Sequence, residues 1–333
     1  MKRFKIGIIG AGHIAIKMAS TLNAMQSAEP YGIAARDRSK AEAFAAAHNI
    51  TKAYGSYEAL ADDPDVDLIY IATPHSLHYA HARMCLERGK AVLCEKAFTA
   101  NAAEAEELIR LSQSKGIFLA EAIWTRYMPF SRTIAEIAAS GAIGTPHILS
   151  AHLGYPVGTV ERILRPELGG GALLDLGVYT LNFASMCFGE EIARIDSACT
   201  LSETGVDLQE SITLRFADGR MAILQATALC ANDRQGIICG DKGYIVVDNI
   251  NNPLHATLHA PDHTVVRTYD APPQITGFEY QVQACFDAIG EGRIETPYMP
   301  HSESLRIMRI MDDLRRQWGV TFPNDAFRGE ESR

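Results

Sequence analysis

Three residues of the 333-residue chain could together move a proton: Lys96, Asp175 and Tyr179. In "GGGALLDLGVY", Asp175 and Tyr179 are four residues apart, which places both on one face of a predicted helix. A tyrosine phenol has an ordinary pKa near about 10, so it acts as a base near neutrality only where a cation favours its ionised form. Lys96 is the candidate cation. The alternative for the helical pair is an ordinary polar helix face.

Lys96 and Glu95 stand at the end of a short apolar run, "AVLC", before a helical pattern begins. Charged residues at this point could simply solvate the end of a strand. In open α/β sheets, however, ligands bind beyond the carboxyl ends of the strands. The position therefore predicts that Lys96 faces a ligand and that Glu95 is its structural neighbour.

The segment "GIIGAGHIA" places Gly10, Gly12 and Ala15 in a GxGxxG/A pattern, after a predicted strand and at the start of a predicted helix. The first glycine permits a tight turn, the second lets the backbone approach a pyrophosphate, and the small third residue lets helix and strand pack. The phosphates would sit at the helix N-terminus, where His13 and Ile14 stand. This context predicts dinucleotide binding, with accidental glycine spacing as the alternative.

The residues after the second predicted strand indicate which dinucleotide binds. NAD enzymes usually carry an acidic residue there for the ribose 2′-hydroxyl, whereas NADP enzymes offer an arginine to the 2′-phosphate. Here Ala35 and Arg36 follow the strand. The Arg36 guanidinium can pair with a phosphate in forked geometry, so NADP is favoured over NAD. The alternative is a solvated arginine beside Asp37.

These residues must be positioned by two different folds. Residues 1–122 alternate short apolar runs with helical patterns, which predicts βαβ units and a parallel sheet. One of their helices, "SKAEAFAAAH", has Ser39 as its expected N-cap, and another has Asn101. Residues 123–333 contain hairpin-like pairs such as "ESITLRF" and "MAILQATA" around "ADGR", which predicts an α+β domain with a mostly antiparallel sheet.

Composition excludes several classes of function. A formal net charge of -9 argues against a nucleic-acid partner. Seven scattered cysteines without a CxxC pair predict buried thiols in a reducing compartment, hence a cytoplasmic protein. We also expect no membrane partner, because no stretch approaches the ~18 to 20 apolar residues of a span.

Taken with "AARDRSKAEAFA", "AVLCEKAF", "AEAIWTRYMP", "GGGALLDLGVY" and "ETGVD", the chain resembles the GFO/IDH/MocA oxidoreductases over nearly its whole length. Within them it is similar to the branch of dimeric dihydrodiol dehydrogenases and NADP-dependent D-xylose dehydrogenases. The resemblance implies a Rossmann domain followed by an α+β domain with a large open sheet, through which two copies commonly form a homodimer.

The resemblance also assigns residues. Lys96 stands at the lysine of the family's "EKP" motif, a catalytic and cofactor-facing position that includes Glu95. Asp175 falls on the substrate-side aspartate and Tyr179 on the acid/base tyrosine of the branch. The remaining matches are Trp124 and Arg126, on the strand that borders cofactor and substrate, and Thr73, Pro74 and His78, in the loop beside the nicotinamide ribose.

One residue departs from the family pattern, and two further groups of residues give weaker signals. Ala97 replaces the proline that usually follows the lysine, and because cis peptide bonds are nearly confined to proline, a cis turn cannot be assumed there. His75, His78 and His81 recur at three-residue intervals, but no cysteine or acid accompanies them, and we expect no metal. His152 and Tyr155 follow a strand-like run into a loop, and both are further candidates for contact with substrate.

The predicted activity is hydride transfer between NADP and a carbinol of a sugar or cyclic diol. Tyr179 is the predicted acid/base, Lys96 lowers its pKa and orients the hydroxyl, and Asp175 either binds substrate or positions Lys96. The alternatives are an inositol or other sugar dehydrogenase, a reductase working in the opposite direction, and a non-catalytic NADP-binding regulatory protein.

Overall fold

The structure is a computed structural model that describes residues 3–189 and 191–326; the outermost residues of the two predicted domains, 1–2 and 327–333, lie outside this part. The chain divides into two compact units. The first contains Met1–Trp124, Gln274–Arg309 and Asn324–Arg333, and the second contains Thr125–Pro273 and Ile310–Pro323. The predicted domain boundary lies between residues 122 and 123, with all later residues in the second domain. In the structure, residues 274–309 belong to the first unit instead.

The first unit is built on a parallel sheet, as the alternating pattern predicts. The order of its strands is β3-β2-β1-β4-β5-β6. The strand β3 is absent from the sequence prediction, because three residues are too few to show a pattern. The strands are Phe4–Ile9 (β1), Ala28–Ala34 (β2), Lys52–Tyr54 (β3), Leu68–Ile71 (β4), Ala91–Glu95 (β5) and Leu119–Ala122 (β6).

The second unit contains an eight-stranded sheet in which only β7 and β10 pair in parallel. The predicted hairpin around Asp218 and Gly219 is confirmed as the antiparallel pair β9–β10. The strands are Pro146–Gly154 (β7), Ile192–Leu201 (β8), Asp207–Phe216 (β9), Met221–Thr227 (β10), Gly236–Gly240 (β11), Gly243–Val247 (β12), His255–His259 (β13) and Val265–Asp270 (β14).

Helix boundaries follow local capping. Asn101 caps its helix as predicted, by accepting a hydrogen bond from the backbone N–H of Glu104 at 2.9 Å. The prediction of Ser39 as the N-cap is wrong. The helix begins at Arg38, and its N-cap is Asp37, whose carboxylate accepts a hydrogen bond from the Ser39 N–H. The described residues form ten α-helices: His13–Ala24 (α1), Arg38–His48 (α2), Tyr57–Ala61 (α3), His75–Glu87 (α4), Ala102–Lys115 (α5), Pro129–Ala139 (α6), Glu161–Leu164 (α7), Val178–Phe188 (α8), Glu279–Gly290 (α9) and His301–Trp318 (α10).

The predicted helix around "GGGALLDLGVY" begins with a π-helical turn, Leu173–Gly177, which continues into α8. The stretch Pro166–Phe188 is also long and apolar enough to pass for a membrane span, contrary to the sequence expectation that no such stretch exists. In the structure 83% of its most apolar window is buried within the protein. That burial is typical of a core helix in a globular protein.

The cysteines differ in exposure more than the sequence predicts. All seven are free thiols. Cys85, Cys94 and Cys285 are buried as expected, whereas Cys230 is exposed and three others are half-buried. Burial raises the pKa of Cys85 to about 12, so this thiol stays protonated and unreactive at neutral pH.

Two buried carboxyl groups of β9 lie against the π turn. Asp207 accepts a hydrogen bond from the Leu173 backbone N–H at 2.6 Å, and a Cβ added to Gly177 would lie 2.5 Å from Oε1 of Glu210. Burial raises the pKa of Asp207 to about 6, opposed in part by the Leu173 hydrogen bond. Burial, followed by the charge of Asp207, raises the pKa of Glu210 well above its usual range.

Replacing Asp207 by Asn should remove part of the pH dependence of stability. Between about pH 4 and 6 the folded protein keeps a proton on Asp207 that the unfolded chain has released, so the free energy of unfolding falls as pH rises through this window. The Asp207→Asn variant does not titrate at this position, yet its amide oxygen can still accept the Leu173 hydrogen bond. Urea unfolding at pH 4.5 and 7 measures how much the free energy of unfolding decreases between these two pH values. In Asp207→Asn this decrease should be smaller than in the wild type by on the order of 1–3 kcal/mol.

The matched control is Asp196→Asn on β8. Hydrogen bonding with Arg194 lowers the pKa of that carboxyl, so it does not titrate in this window. Equal pH dependence in wild type and Asp207→Asn would show that Asp207 does not hold the proton.

Candidate active site

The loop between β1 and α1 has the geometry that the glycine spacing predicts. Gly10 has a φ of +98°, and a Cβ added there would lie 2.7 Å from the carbonyl oxygen of Ala72. This position therefore requires glycine for both conformation and space. A Cβ added to Gly12 would meet no heavy atom within 4 Å, so that side of the loop is open to a ligand.

The N-terminus of α1 can bind an anion. Gly12 precedes the helix without a side-chain cap, His13 is exposed and Ile14 is half-buried. The first N–H groups of a helix lack partners within it and carry partial positive charge, which suits a phosphate. The small Ala15 is fully buried, as expected where helix packs on strand.

Arg36 follows β2 as an exposed side chain, and in residues 3–189 and 191–326 it forms no ion pair or hydrogen bond. The sequence alternative was an arginine beside Asp37, but the Asp37 carboxylate accepts hydrogen bonds from both the N–H and the hydroxyl of Ser39. Burial raises the pKa of the Tyr57 phenol, and the positive charge of Arg36 opposes that shift. The guanidinium therefore has donors available for an added phosphate.

Glu95 and Lys96 lie at the end of β5. The Glu95 side chain is buried; it accepts a hydrogen bond from the Tyr70 hydroxyl and another from the Lys96 backbone N–H at 3.2 Å. Lys96 itself is half-buried. The Lys96–Ala97 peptide bond is cis, although no proline follows the lysine. Glu95 thus contacts the backbone that carries Lys96, as the sequence predicts.

His78 joins two of the loops that follow strands. Its Nε2 lies 2.8 Å from the carbonyl oxygen of Thr73, after β4, and its Nδ1 lies 2.8 Å from that of Ala97, after β5. Complete burial lowers the pKa of His78, and the carbonyl contacts oppose that shift. His78 therefore fixes the loop of Thr73 and Pro74 against the backbone next to Lys96. No group of three or more metal-ligating side chains occurs among the described residues.

Trp124 is almost completely buried and stacks on Phe278, with ring centroids 4.5 Å apart. A Cβ added to Gly277 would lie 2.6 Å from the Trp124 ring. The resemblance implied that Trp124 borders cofactor and substrate, and the face of the ring toward Phe278 is occupied by packing. Phe278 escaped the sequence analysis, because its partner is more than 150 residues away.

Asp175 and Tyr179 are both largely buried in the second unit. The expectation that an α-helix relates them is wrong, because Asp175 lies in the π turn and Tyr179 in the first turn of α8. A π turn adds a residue to the helical repeat and occurs frequently at functional sites. Both carboxylate oxygens of Asp175 accept hydrogen bonds from Arg162, a residue that the sequence analysis missed.

Arg126 and Tyr155 make contacts within the second unit. Trp124–Arg126 is a 3₁₀ turn and not the strand that the resemblance implied, because β6 ends at Ala122. The Arg126 guanidinium donates to Asn182 Oδ1 on α8 at 3.2 Å. The Tyr155 hydroxyl accepts hydrogen bonds at 3.2 Å from two side chains, those of Arg234 and Asn251. The predicted roles of Arg126 and Tyr155 at a ligand stay predictions.

The structure thus brings together the predicted residues of the first unit. Four strands end at one edge of the parallel sheet. The segments that follow them carry the Gly10–Gly12 loop, Arg36, the Thr73 loop and Lys96. Asp175 and Tyr179 belong to the second unit. Their predicted cooperation with Lys96 stays a prediction.

Family comparisons match both units. Residues 4–122 match the family described as "Oxidoreductase family, NAD-binding Rossmann fold", and residues 131–246 match the "GFO/IDH/MocA C-terminal domain". The first unit is therefore a Rossmann domain for NAD or NADP.

Among curated proteins, the chain is 38% identical over 328 residues to trans-1,2-dihydrobenzene-1,2-diol dehydrogenase from Xenopus laevis, covering 96% of this chain and 99% of the relative. The protein of the same name from Homo sapiens is 34% identical, with 96% and 98% coverage.

Among solved structures, a 3-ketoreductase from Actinomadura kijaniata, in complex with NADP and TDP-benzene, has a TM-score of 0.87 at 24% identity, covering 95% of this chain and 98% of that one. An aldose-aldose oxidoreductase from Caulobacter crescentus, complexed with glycerol, has a TM-score of 0.86 at 22% identity, with 96% and 98% coverage. These two similarities support the fold.

Substituting Gly12 by Ala should separate cofactor binding from stability. With a φ of -91° and no heavy atom near the added Cβ, the variant should unfold at the wild-type temperature. Its methyl group would nevertheless hold a pyrophosphate away from the backbone, so we expect NADPH affinity to fall on the order of tenfold in a fluorescence titration.

The comparison variant is Gly10→Ala, which should instead unfold at a clearly lower temperature because of its positive φ and the contact with Ala72. Wild-type affinity for NADPH in Gly12→Ala would show that this loop does not bind the pyrophosphate.

Proposed function

Because the chain belongs to the GFO/IDH/MocA oxidoreductase family, we propose that it is an NADP-dependent dehydrogenase that acts on a carbinol of a sugar or cyclic diol. The observation that carries this proposal is the similarity to diol dehydrogenases along the whole chain. Lys96, Asp175 and Tyr179 supply the proton-handling groups that such a reaction needs and that a purely regulatory protein does not.

The preference for NADP rests on Arg36. The loop after β2 carries no carboxylate for a ribose hydroxyl at that position, and the carboxylate of the neighbouring Asp37 is engaged with Ser39. A guanidinium with unused donors matches the charge and the geometry of a 2′-phosphate. Gly10, Gly12, His13 and Ile14 would hold the pyrophosphate.

The nicotinamide, when bound, supplies the hydride acceptor or donor. Tyr179 takes the proton from the substrate hydroxyl during oxidation and returns it during reduction. Asp175 accepts a hydrogen bond from the substrate. Lys96, held at the end of β5 by the backbone contact with Glu95, provides the positive charge that favours an ionised oxygen. Pro74, Trp124, Arg126 and Tyr155 remain proposed ligand contacts.

We place the protein in the cytoplasm as a homodimer. On β10 the side chains of Ala222, Leu224 and Ala226 are buried, while Ile223 and Gln225 between them are exposed. One face of the large sheet is therefore open in the single chain, and an exposed apolar residue on it suits pairing with a second copy.

Arg36→Ala should weaken the binding of NADP and leave that of NAD nearly unchanged. Loss of charge-assisted hydrogen bonds to the 2′-phosphate predicts a rise in the dissociation constant for NADP of roughly tenfold to a hundredfold. Arg38→Ala is the control, since Arg38 is exposed in the same segment and pairs with Glu42. Equal losses for NADP and NAD, measured by calorimetry, would remove Arg36 from 2′-phosphate recognition.

The activity itself is tested by initial rates with NADP against trans-dihydrodiols, aldoses and inositols. We expect turnover of a diol or an aldose, and a fall in kcat of about 10²- to 10⁴-fold in Tyr179→Phe, because the acid/base hydroxyl is lost. NADPH affinity should stay at the wild-type value. Tyr244→Phe, which removes a hydroxyl from β12, is the control. Undiminished kcat in Tyr179→Phe would refute the acid/base assignment.

A further inference from the structure

Arg162 and Asp175 form a forked ion pair in the second unit. Nη1 of the arginine lies 3.0 Å from Oδ1 of the aspartate, and Nη2 lies 3.1 Å from Oδ2. The two side chains differ in exposure, at 46% for Arg162 and 8% for Asp175. The guanidinium thus reaches from the surface to a largely buried carboxylate, and two parallel hydrogen bonds fix the plane of that carboxylate.

The segment that carries Arg162 is itself held in place. Ile163 is buried, and its carbonyl oxygen accepts a hydrogen bond from the Gly171 N–H at 2.8 Å. The hydroxyl of Thr204 donates to the carbonyl oxygen of Leu164 at 2.6 Å. The short helix α7 is therefore tied both to the glycine run before the π turn and to the segment before β9. Its position relative to Asp175 does not depend on the ion pair alone.

The other charged residues of this segment form ion pairs with one another. Arg165 pairs with Glu161 one turn earlier and lies 3.7 Å from Glu167, and all three side chains are exposed. Exposed pairs of this kind contribute little to stability. Arg162 differs from Arg165 because its partner is buried, and an unpaired buried carboxylate is costly.

We propose that Arg162 is a positioning residue that orients the Asp175 carboxylate so that it accepts hydrogen bonds from two neighbouring hydroxyl groups of a substrate. The inference rests on the proposed function. A carboxylate has about four lone-pair sites on its two oxygens, and the fork from Arg162 uses one site on each oxygen. Two acceptor oxygens held in a fixed plane match vicinal hydroxyl groups, a feature that sugars and cyclic diols share.

The test compares a vicinal diol with its monohydroxy analogue, trans-1,2-cyclohexanediol against cyclohexanol and D-xylose against its 2-deoxy form. We expect Arg162→Leu to lower kcat/KM for the vicinal substrates on the order of tenfold to a hundredfold, and to reduce the preference over the analogues by a similar factor. The KM for NADP should not change. Arg162→Lys should recover part of the loss, because it keeps the charge without the fork.

Arg165→Leu removes an equal charge from the same segment, and its kcat/KM should stay within about twofold of wild type. If Arg162 acts through Asp175, Arg162→Leu should lower kcat/KM for the vicinal substrates little further in a protein that already carries Asp175→Asn. The same fold loss in both backgrounds would reduce Arg162 to a structural role. A lower KM for the diol in Arg162→Leu would also overturn the proposal, because Arg162 would then compete with substrate.

Thermal unfolding separates this inference from the proposed function. The proteins compared are the wild type, Arg162→Leu, Asp175→Asn and the variant that carries both of these substitutions. Coupling between Arg162 and Asp175 in unfolding temperature is expected whether or not any substrate is oxidised. A wild type that oxidises none of the substrates but shows the coupling refutes the proposed activity and, with it, the role in substrate positioning. Activity without any coupling refutes the Arg162 inference alone.

Discussion

The register of the parallel sheet determines where the proposed cofactor-binding residues of the first unit lie. Ile9 of β1 pairs with Ala34 of β2 and with Ile71 of β4, which in turn pairs with Cys94 of β5. Four strands therefore end at one level, and the segments that leave them start side by side. A one-residue slip would turn every side chain on a strand to the opposite face, so buried packing on both faces maintains this register.

A different constraint acts in the second unit, where carboxyl groups lie in a largely apolar core. Asp207 and Glu210 pack against the π turn, and Asp175 within that turn is held by Arg162. The first two have raised pKa values because burial disfavours their charge, whereas Asp175 is paired with a cation. The three acids thus face two kinds of environment, and the one that is paired with Arg162 is the proposed substrate ligand.

Local features of this chain were predictable and distant ones were not. The glycine loop, the Asn101 cap and the hairpin at Asp218 depend on residues close in sequence, and the structure confirms them. The π turn depends on packing against β9, more than 30 residues later, and no short-range pattern indicates it. The Arg162 pair and the return of residues 274–309 to the first unit have the same origin in tertiary contacts.

The most direct measurement is of where the hydrogen of the substrate goes. A trans-dihydrodiol and an aldose, each carrying deuterium on the reacting carbinol carbon, would be incubated with the enzyme and NADP, and the reduced cofactor analysed by mass spectrometry. We predict that deuterium from at least one of them appears on the nicotinamide ring. Tight binding of NADPH without deuterium transfer from either substrate would contradict the central claim that this chain is a diol or sugar dehydrogenase.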